Sequence, residues 1–511
     1  MSVFNQIYRS ILACSLILFS QLSLSHDGHD VQDIIIPNLG NIGQVQFATT
    51  CGEQESKTIN TGVALLHHMM YAQAEKHFAG AINTFPHCAI LHWGYAMTLF
   101  HPLWPDKITE EATTRGATAI KRAKSLAASK REQAYIHAAA AYYHDWQNTP
   151  ERTRLEAWAE KQQQLYLDYP KDIDATAFYA LSQLVTASKK DPTFSQNKRA
   201  GELLNPLLKN HPSHPGAIHY TIHAYDNPVL ASHAIEAARA YDKIAPDVPH
   251  ALHMPSHIFV RLGMWEDAAN WNIRSANAAL KYPVKDATSL HYTHAIDYLV
   301  YSYIQANQLS KAKKAFEQVA KHHPIQAVFP TAYALTTIPA RLALESHQWQ
   351  QASDLAVRTP NYIDWDKFPE VEAITYFTRG LGAARTNQLK VAEQNLTKLD
   401  DLYEKTLQKS PQYWAILVDA QRKAVAASIS FAKGEIKLAI TQLKQAADIE
   451  DSVDKNPVTP GAVLPIRELL GDMLFLNQDY SQAIKAYQAC LKINPNRLNS
   501  LTGIELANKK L

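Results

Sequence analysis

This 511-residue chain has few glycines and no large excess of charge of either sign. It has 17 glycines, and its 50 Lys and Arg residues are nearly balanced by 48 Asp and Glu residues. No run of basic residues stands out, so the composition argues against nucleic acid and against an anionic membrane surface as partners. Valine and isoleucine do not alternate with polar residues over long stretches, which argues against a β-sheet fold.

The chain also lacks the short motifs that carry common chemistries. It has no H-E-x-x-H, no P-loop and no G-x-S-x-G sequence. Whether the protein is an enzyme is therefore left open by the sequence.

The N-terminus is predicted to be a targeting segment. Arg9 precedes the apolar stretch "SILACSLILFSQLSLS", which is too short to span a membrane and remain there, and Ser23 and Ser25 supply small residues before a cut. Most of this apolar stretch follows Cys14, which disfavours a lipoprotein cleavage at that cysteine. We expect a signal peptide over residues 1–25, an extension over 26–54, and a periplasmic or secreted mature protein without stable membrane insertion.

Cysteine positions fit an oxidising compartment. Cys51 stands just before the first predicted repeat helix, and Cys88 begins the helix after that repeat. These two residues are predicted to form a disulfide. Cys490 falls at a small, buried repeat position and is interpreted as a core residue.

A helical repeat organises the rest of the chain. Two segments near opposite ends share a small residue, an alanine, an aromatic residue and a proline at offsets 0, 12, 16 and 24. These residues are Gly62, Ala74, Phe78 and Pro86 in one segment, and Gly471, Ala483, Tyr487 and Pro495 in the other. The pattern is that of the 34-residue tetratricopeptide unit, so we predict an all-α solenoid with repeats over 55–190, 191–358 and 359–511.

The repeat frame gives the histidines a common direction. We align two neighbouring repeat units by placing Ala234 and Ala268 at the same repeat position. Two pairs of histidines, one in each unit, then occupy the same two inward-facing positions on the first helix of their unit. These four predicted metal ligands are His219, His223, His253 and His257. The same frame predicts that further polar residues line the concave groove as ligand contacts: Asp226, Arg261, His294, Asp297, Tyr301 and Arg341.

Three interpretations of this groove remain open at the level of sequence. Histidines four residues apart on a helix can chelate an ion such as Zn, Cu, Ni or Fe, with Asp226 or Asp297 as a ligand or as an orienting group. The four predicted ligands would then be the site of a metal-dependent enzyme or of a metal-handling protein. A metal-free groove could instead hold a protein, a peptide or a small anion. The histidines could also serve only as hydrogen-bonding groups between packed helices. Pro255, between His253 and His257, predicts a kink or a helix start.

Two other histidine-rich stretches are weaker candidates. "LLHHMM", which contains His67 and His68, could bind copper but is more typical of a repeat core. "HDGHD" would become the new N-terminus after cleavage behind Ser25, and it is more typical of a mobile tail.

Several segments resemble a family of exported bacterial tetratricopeptide-repeat proteins without an assigned biochemical role. The resemblance is carried by stretches such as "HPGAIHYTIHAYDNP", "APDVPHALHMPSHIFVRLGMWEDA" and "NPVTPGAVLPIRELLGDML". It implies a repeat scaffold, with most of the predicted groove residues inside the family's motifs. "LLHHMM" departs from the family pattern, which weakens any functional role for His67 and His68.

Overall fold

The computed structural model describes residues 40–103, 108–188 and 191–511. The predicted signal peptide and "HDGHD" lie outside these residues. The described residues form α-helices, with short 3-10 turns and only isolated β-bridges, which confirms the all-α solenoid. None of the described helices is both long enough and apolar enough to cross a membrane.

The described residues contain 24 α-helices in succession along the chain. Those of the first part are α1 (Glu53–His67), α2 (Tyr71–Thr84), α3 (Ala89–Met97), α4 (Glu110–Lys124), α5 (Lys130–Tyr143), α6 (Glu151–Asp168), α7 (Ile173–Thr186) and α8 (Ser195–Asn210). The central ones are α9 (Pro215–Tyr225), α10 (Ile235–Ala240), α11 (Pro249–His253), α12 (Pro255–Arg261), α13 (Trp265–Ala279), α14 (Leu290–Gln305), α15 (Leu309–Val319), α16 (Phe329–Glu345) and α17 (Trp349–Ser353). The last are α18 (Pro369–Arg385), α19 (Leu389–Lys409), α20 (Gln412–Ala432), α21 (Ile436–Asp451), α22 (Ile466–Leu476), α23 (Tyr480–Ile493) and α24 (Leu498–Asn508).

Close packing of rings against glycine holds neighbouring units together. The Phe78 ring on α2 lies so near Gly62 on α1 and Gly94 on α3 that a Cβ atom on either glycine would come within 2.3 Å of it. Near the other end of the chain, Tyr487 fits in the same way between Gly471 and Gly503, where an added Cβ would lie 2.5 Å from the ring. The small and aromatic positions of the repeat therefore have the packing role that their spacing predicts.

Glycine substitutions test this packing directly. Gly62→Ala should lower the free energy of unfolding by about 1–3 kcal/mol, because the added methyl group overlaps the Phe78 ring. The matched control is Gly80→Ala on the exposed side of α2, where no atom lies within 4 Å of an added Cβ. This control should gain about 0.5–1 kcal/mol. Equal stabilities of the two variants in urea denaturation would contradict the packing.

The predicted disulfide is present between Cys51 and Cys88, whose Cα atoms are 5.8 Å apart. The described end of the N-terminal extension packs beside it. Phe47 stacks on Trp93 with ring centroids 5.3 Å apart, and Thr50 Oγ1 donates a 2.6 Å hydrogen bond to Glu132. The disulfide thus links the entry to α1 with the start of α3.

Loss of this bond should destabilise the chain without changing its fold. The two cysteines are 37 residues apart, and breaking a crosslink over such a loop typically costs about 2–4 kcal/mol. Cys51→Ala and the double variant Cys51→Ala/Cys88→Ala should lose the same free energy of unfolding, since either change removes the one bond. Non-reducing peptide mapping that found both wild-type thiols free would refute it.

Candidate functional site

Four helices position a group of seven histidines. His219 and His223 lie on α9, His250 and His253 on α11, His257 on α12, and His291 and His294 on α14. Helix α9 is started by Pro215 at its first position and by His214, whose Nδ1 accepts a hydrogen bond from the Ala217 backbone N–H at 3.2 Å.

The predicted break at Pro255 is observed. Helix α11 ends at His253, and Pro255 is the first residue of α12. Met254 between them keeps helical dihedral angles, so α12 follows closely on α11. A proline costs least at a first helical position. On either side of this break, the rings of His253 and His257 are nearly perpendicular, with centroids 4.9 Å apart.

The structure brings six of the histidines together as two groups of three, rather than joining the predicted four around one point. The His257 trio is His253, His257 and His294, and the His219 trio is His219, His223 and His250. Within each trio the possible ligand atoms all lie within 4.8 Å of one another. The four predicted ligands separate because the nearest rings of the two pairs, His223 and His257, are 6.5 Å apart between centroids.

Hydrogen bonds fix the tautomers within the His257 trio. Asn272 donates its amide N–H to the Ala268 carbonyl at 2.7 Å, which leaves its Oδ1 to accept the Nδ1–H of His253 at 2.8 Å. His257 donates its Nδ1–H to Asp226 Oδ2 at 2.9 Å. In both neutral rings the lone pair is then on Nε2.

The consequence is a repulsive contact. The Nε2 atoms of His253 and His257 are 3.0 Å apart, and each carries a lone pair in this tautomer. The third ring, His294, has its centroid 4.2 Å from that of His253. Two lone pairs at this distance repel unless a proton or a metal cation lies between them.

Asp226 remains ionised although it is buried. Burial opposes the charge, but the nearby Lys455 and Arg261, together with the hydrogen bond from His257, hold the pKa of Asp226 well below its usual range. Arg261 Nε donates to Asp226 Oδ1 at 2.9 Å, and Lys455 Nζ lies 3.4 Å from the same oxygen. The carboxylate is therefore a fixed acceptor for His257.

The histidines of both trios are neutral at physiological pH. Burial is the largest cause, and neighbouring imidazoles add to it, so the pKa values of His219, His250, His253 and His294 lie well below 6.5. Burial also lowers the pKa of His223 to about 3. Neutral imidazoles are the form that binds metal ions.

A third group of possible ligands, His67, Asp174 and His214, is already satisfied by hydrogen bonds. Asp174 accepts from His67 Nε2 at 2.9 Å and from His214 Nε2 at 3.2 Å. The other nitrogen of His67 accepts from Tyr220 Oη at 3.0 Å. These three side chains form a structural network, because each ring nitrogen has a polar partner.

The neighbouring His68 is satisfied in the same way. Its Nε2–H donates to the Ile42 carbonyl at 2.9 Å, and its Nδ1 accepts from Tyr241 Oη at 3.0 Å. Both histidines of "LLHHMM" thus take part in hydrogen bonds across packed helices.

The remaining predicted groove residues do not form an open strip. Arg341 is fully buried, pairs with Asp297, and donates to Thr459 Oγ1 at 2.8 Å and to the Gly461 carbonyl at 2.9 Å. Tyr301 Oη accepts from Arg497 at 3.3 Å. These side chains are covered by other parts of the same chain, which the repeat register alone does not reveal.

Residues 454–461, here called the groove segment, provide much of this cover. Tyr298 on α14 donates to the carbonyls of Pro457 at 2.9 Å and Thr459 at 3.0 Å. Arg261 on α12 pairs with Asp454 at 2.6 Å. The segment follows α21 and contacts the first helices of successive units, so it lies along their inner surface.

Acidification should unfold the metal-free protein because of its buried histidines. Burial lowers the pKa values of His67, His68 and His291 to about 4, compared with 6.5 for an exposed ring. The unfolded chain therefore binds more protons than the folded one between pH 6.5 and about 4, and stability falls as pH decreases through this window. Each such histidine lowers the free energy of unfolding by up to about 1.4 kcal/mol for each unit by which the pH falls in this window. Urea denaturation in chelator that showed equal stability at pH 7 and pH 5 would contradict this.

Comparisons with known proteins identify the repeat in two places. Residues 464–497 and residues 294–324 each match a tetratricopeptide-repeat family model. The second match begins at His294 and covers most of α14 and all of α15. The chain thus contains tetratricopeptide repeats, and such repeats serve as protein-interaction scaffolds. No curated protein matches the chain.

Several solved structures are remotely similar. Yeast Tom70 is 10% identical, with 89% of this chain and 95% of that chain covered at a TM-score of 0.38. The human IFIT1 dimer with m7Gppp-AAAA is 12% identical, with 77% of this chain and 81% of that chain covered at a TM-score of 0.34. The APC/C hetero-tetramer Cut9-Hcn1 is 10% identical, with 89% of this chain and 96% of that chain covered at a TM-score of 0.30. These values are too low to carry information on function.

Proposed function

We propose that this protein is a repeat scaffold that binds a divalent transition-metal ion through His253, His257 and His294. The observation that carries the proposal is the 3.0 Å contact between the Nε2 atoms of His253 and His257, whose Nδ1 atoms both have fixed acceptors. A cation between the two nitrogens would turn this repulsion into attraction.

The spacing suits coordination. Zinc binds imidazole nitrogen at about 2.0–2.1 Å, so two ligands at a tetrahedral angle lie about 3.3 Å apart. The observed separation of 3.0 Å needs only a small adjustment to reach this value. Three histidines would leave a position for water, a peptide group or a substrate. The metal-dependent enzyme or metal-handling protein that the sequence left open would use the same three residues.

Asp226 and Asn272 act as orienting groups in this proposal. A histidine ligand usually donates its second N–H to a carboxylate or carbonyl oxygen, which fixes the ring and raises its basicity. His257 has this arrangement with Asp226, and His253 has it with Asn272. An all-imidazole set favours Zn, Cu, Ni or Fe over Mg and Ca.

A periplasmic or secreted location is part of the same proposal. The Cys51–Cys88 disulfide supports it, since such bonds persist in oxidising compartments. The apolar N-terminal stretch and the resemblance to exported bacterial repeat proteins support it as well.

A protein or peptide partner in the groove is a second candidate function, and the groove segment favours it. Tyr298 and Arg341 bind main-chain carbonyls of this segment, which is the chemistry that would hold a foreign peptide. Such a partner would have to replace the chain's own residues there.

Zinc binding by variants tests the metal site. His257→Gln should weaken binding of zinc at the His257 trio by more than 100-fold, because one of three ligands is lost. Asp226→Asn should weaken it by about 10–100-fold through loss of the orienting carboxylate. Competition with a chromophoric chelator measures both, with circular dichroism to verify the fold.

The matched control is His214→Gln, which changes a satisfied histidine of the third group. It should leave zinc affinity unchanged. Equal zinc affinity together with equal zinc capacity of wild type and His257→Gln would exclude the proposed site.

A further inference from the structure

We propose that the His219 trio is a second metal site, so that the protein carries two divalent transition-metal ions. The trio consists of His219 and His223 on α9 and His250 on α11. It shares no residue with the His257 trio and does not depend on it.

The first argument is the state of His219. Its side chain is fully buried, and its Nδ1–H donates to the His67 carbonyl at 2.6 Å. The lone pair is then on Nε2, and this buried atom has no hydrogen-bond partner among the described residues. A buried acceptor without a partner destabilises the fold unless something at the site satisfies it.

The second argument is the convergence of the neighbouring rings. His223 lies one helical turn after His219, with ring centroids 4.8 Å apart, and its own buried Nε2 lacks a hydrogen-bond partner within the described part of the chain. His250 approaches from α11 with its ring centroid 5.0 Å from that of His219. The three rings offer ligand nitrogens within 4.8 Å of one another.

The third argument is the contrast with the satisfied group of His67, Asp174 and His214. That group has a similar composition and the same spacing, yet its ring nitrogens are committed to polar partners. In the His219 trio, by contrast, the Nε2 atoms of His219 and His223 have no such partner among the described residues. The difference favours an ion as the missing partner.

The ligand class follows from the donors. The trio offers imidazole nitrogens and no carboxylate, and the carbonyl of His67 orients His219 as outer-shell partners do in metal sites. Such a set binds Zn, Cu or Ni and discriminates against Mg, Ca and Mn. The two trios adjoin, since the centroids of His250 and His253 are 6.4 Å apart.

Metal stoichiometry tests the second site separately from the first. Mature full-length protein, stripped with chelator and dialysed against zinc chloride, should hold two zinc ions per chain by elemental analysis. His219→Gln and His257→Gln should each hold one, and the double variant none. His214→Gln should hold two. If His219→Gln fails to fold by circular dichroism, His223→Gln replaces it, since His223 is less buried.

Each outcome decides between the two sites. One ion in the wild type that His219→Gln retains and His257→Gln loses would overturn the second site and leave the first. One ion lost only in His219→Gln would support the second site and exclude the first. No bound zinc would exclude both.

Discussion

The buried carboxylate of Asp226 is the contact on which the inner surface depends. It joins the end of α9 to α12 through Arg261, orients His257, and attracts Lys455 of the groove segment. An isolated buried charge would be costly, and here two cations and one imidazole N–H compensate it. The Asp226 carboxylate therefore helps to fix both the orientation of His257 and the position of the groove segment.

The repeat architecture could be predicted from the sequence because its packing is local. The ring of Phe78 contacts Gly62 in its own unit and Gly94 in the next unit. Because these residues are close in sequence, their regular spacing predicts the contact. The inward direction of His253 and His257 followed from the same frame. His250 was missed because it has no counterpart one unit away, although it lies one turn before His253.

The groove segment could not be predicted because its contacts are remote in sequence. Arg261 and Asp454 are 193 residues apart, and Arg341 and Gly461 are 120 apart. A repeat pattern does not predict contacts between residues so far apart in sequence. The composition of the groove segment predicts only a long loop. Polar side chains that the repeat frame directs inward are thus buried by the chain itself, while the Nε2 atoms of His219 and His223 have no hydrogen-bond partner in the part of the chain that the structure describes.

The central claim is that imidazole rings of the His257 trio bind a metal ion directly. X-ray absorption at the zinc edge, on protein loaded with zinc at a sub-stoichiometric ratio, tests it most directly when wild type and His219→Gln are compared with the double variant His219→Gln/His257→Gln. The account predicts imidazole nitrogen neighbours at about 2.0–2.1 Å in the first two samples, and loss of this signal when both His219 and His257 are replaced. A spectrum with only oxygen neighbours in the His219→Gln variant would contradict the account.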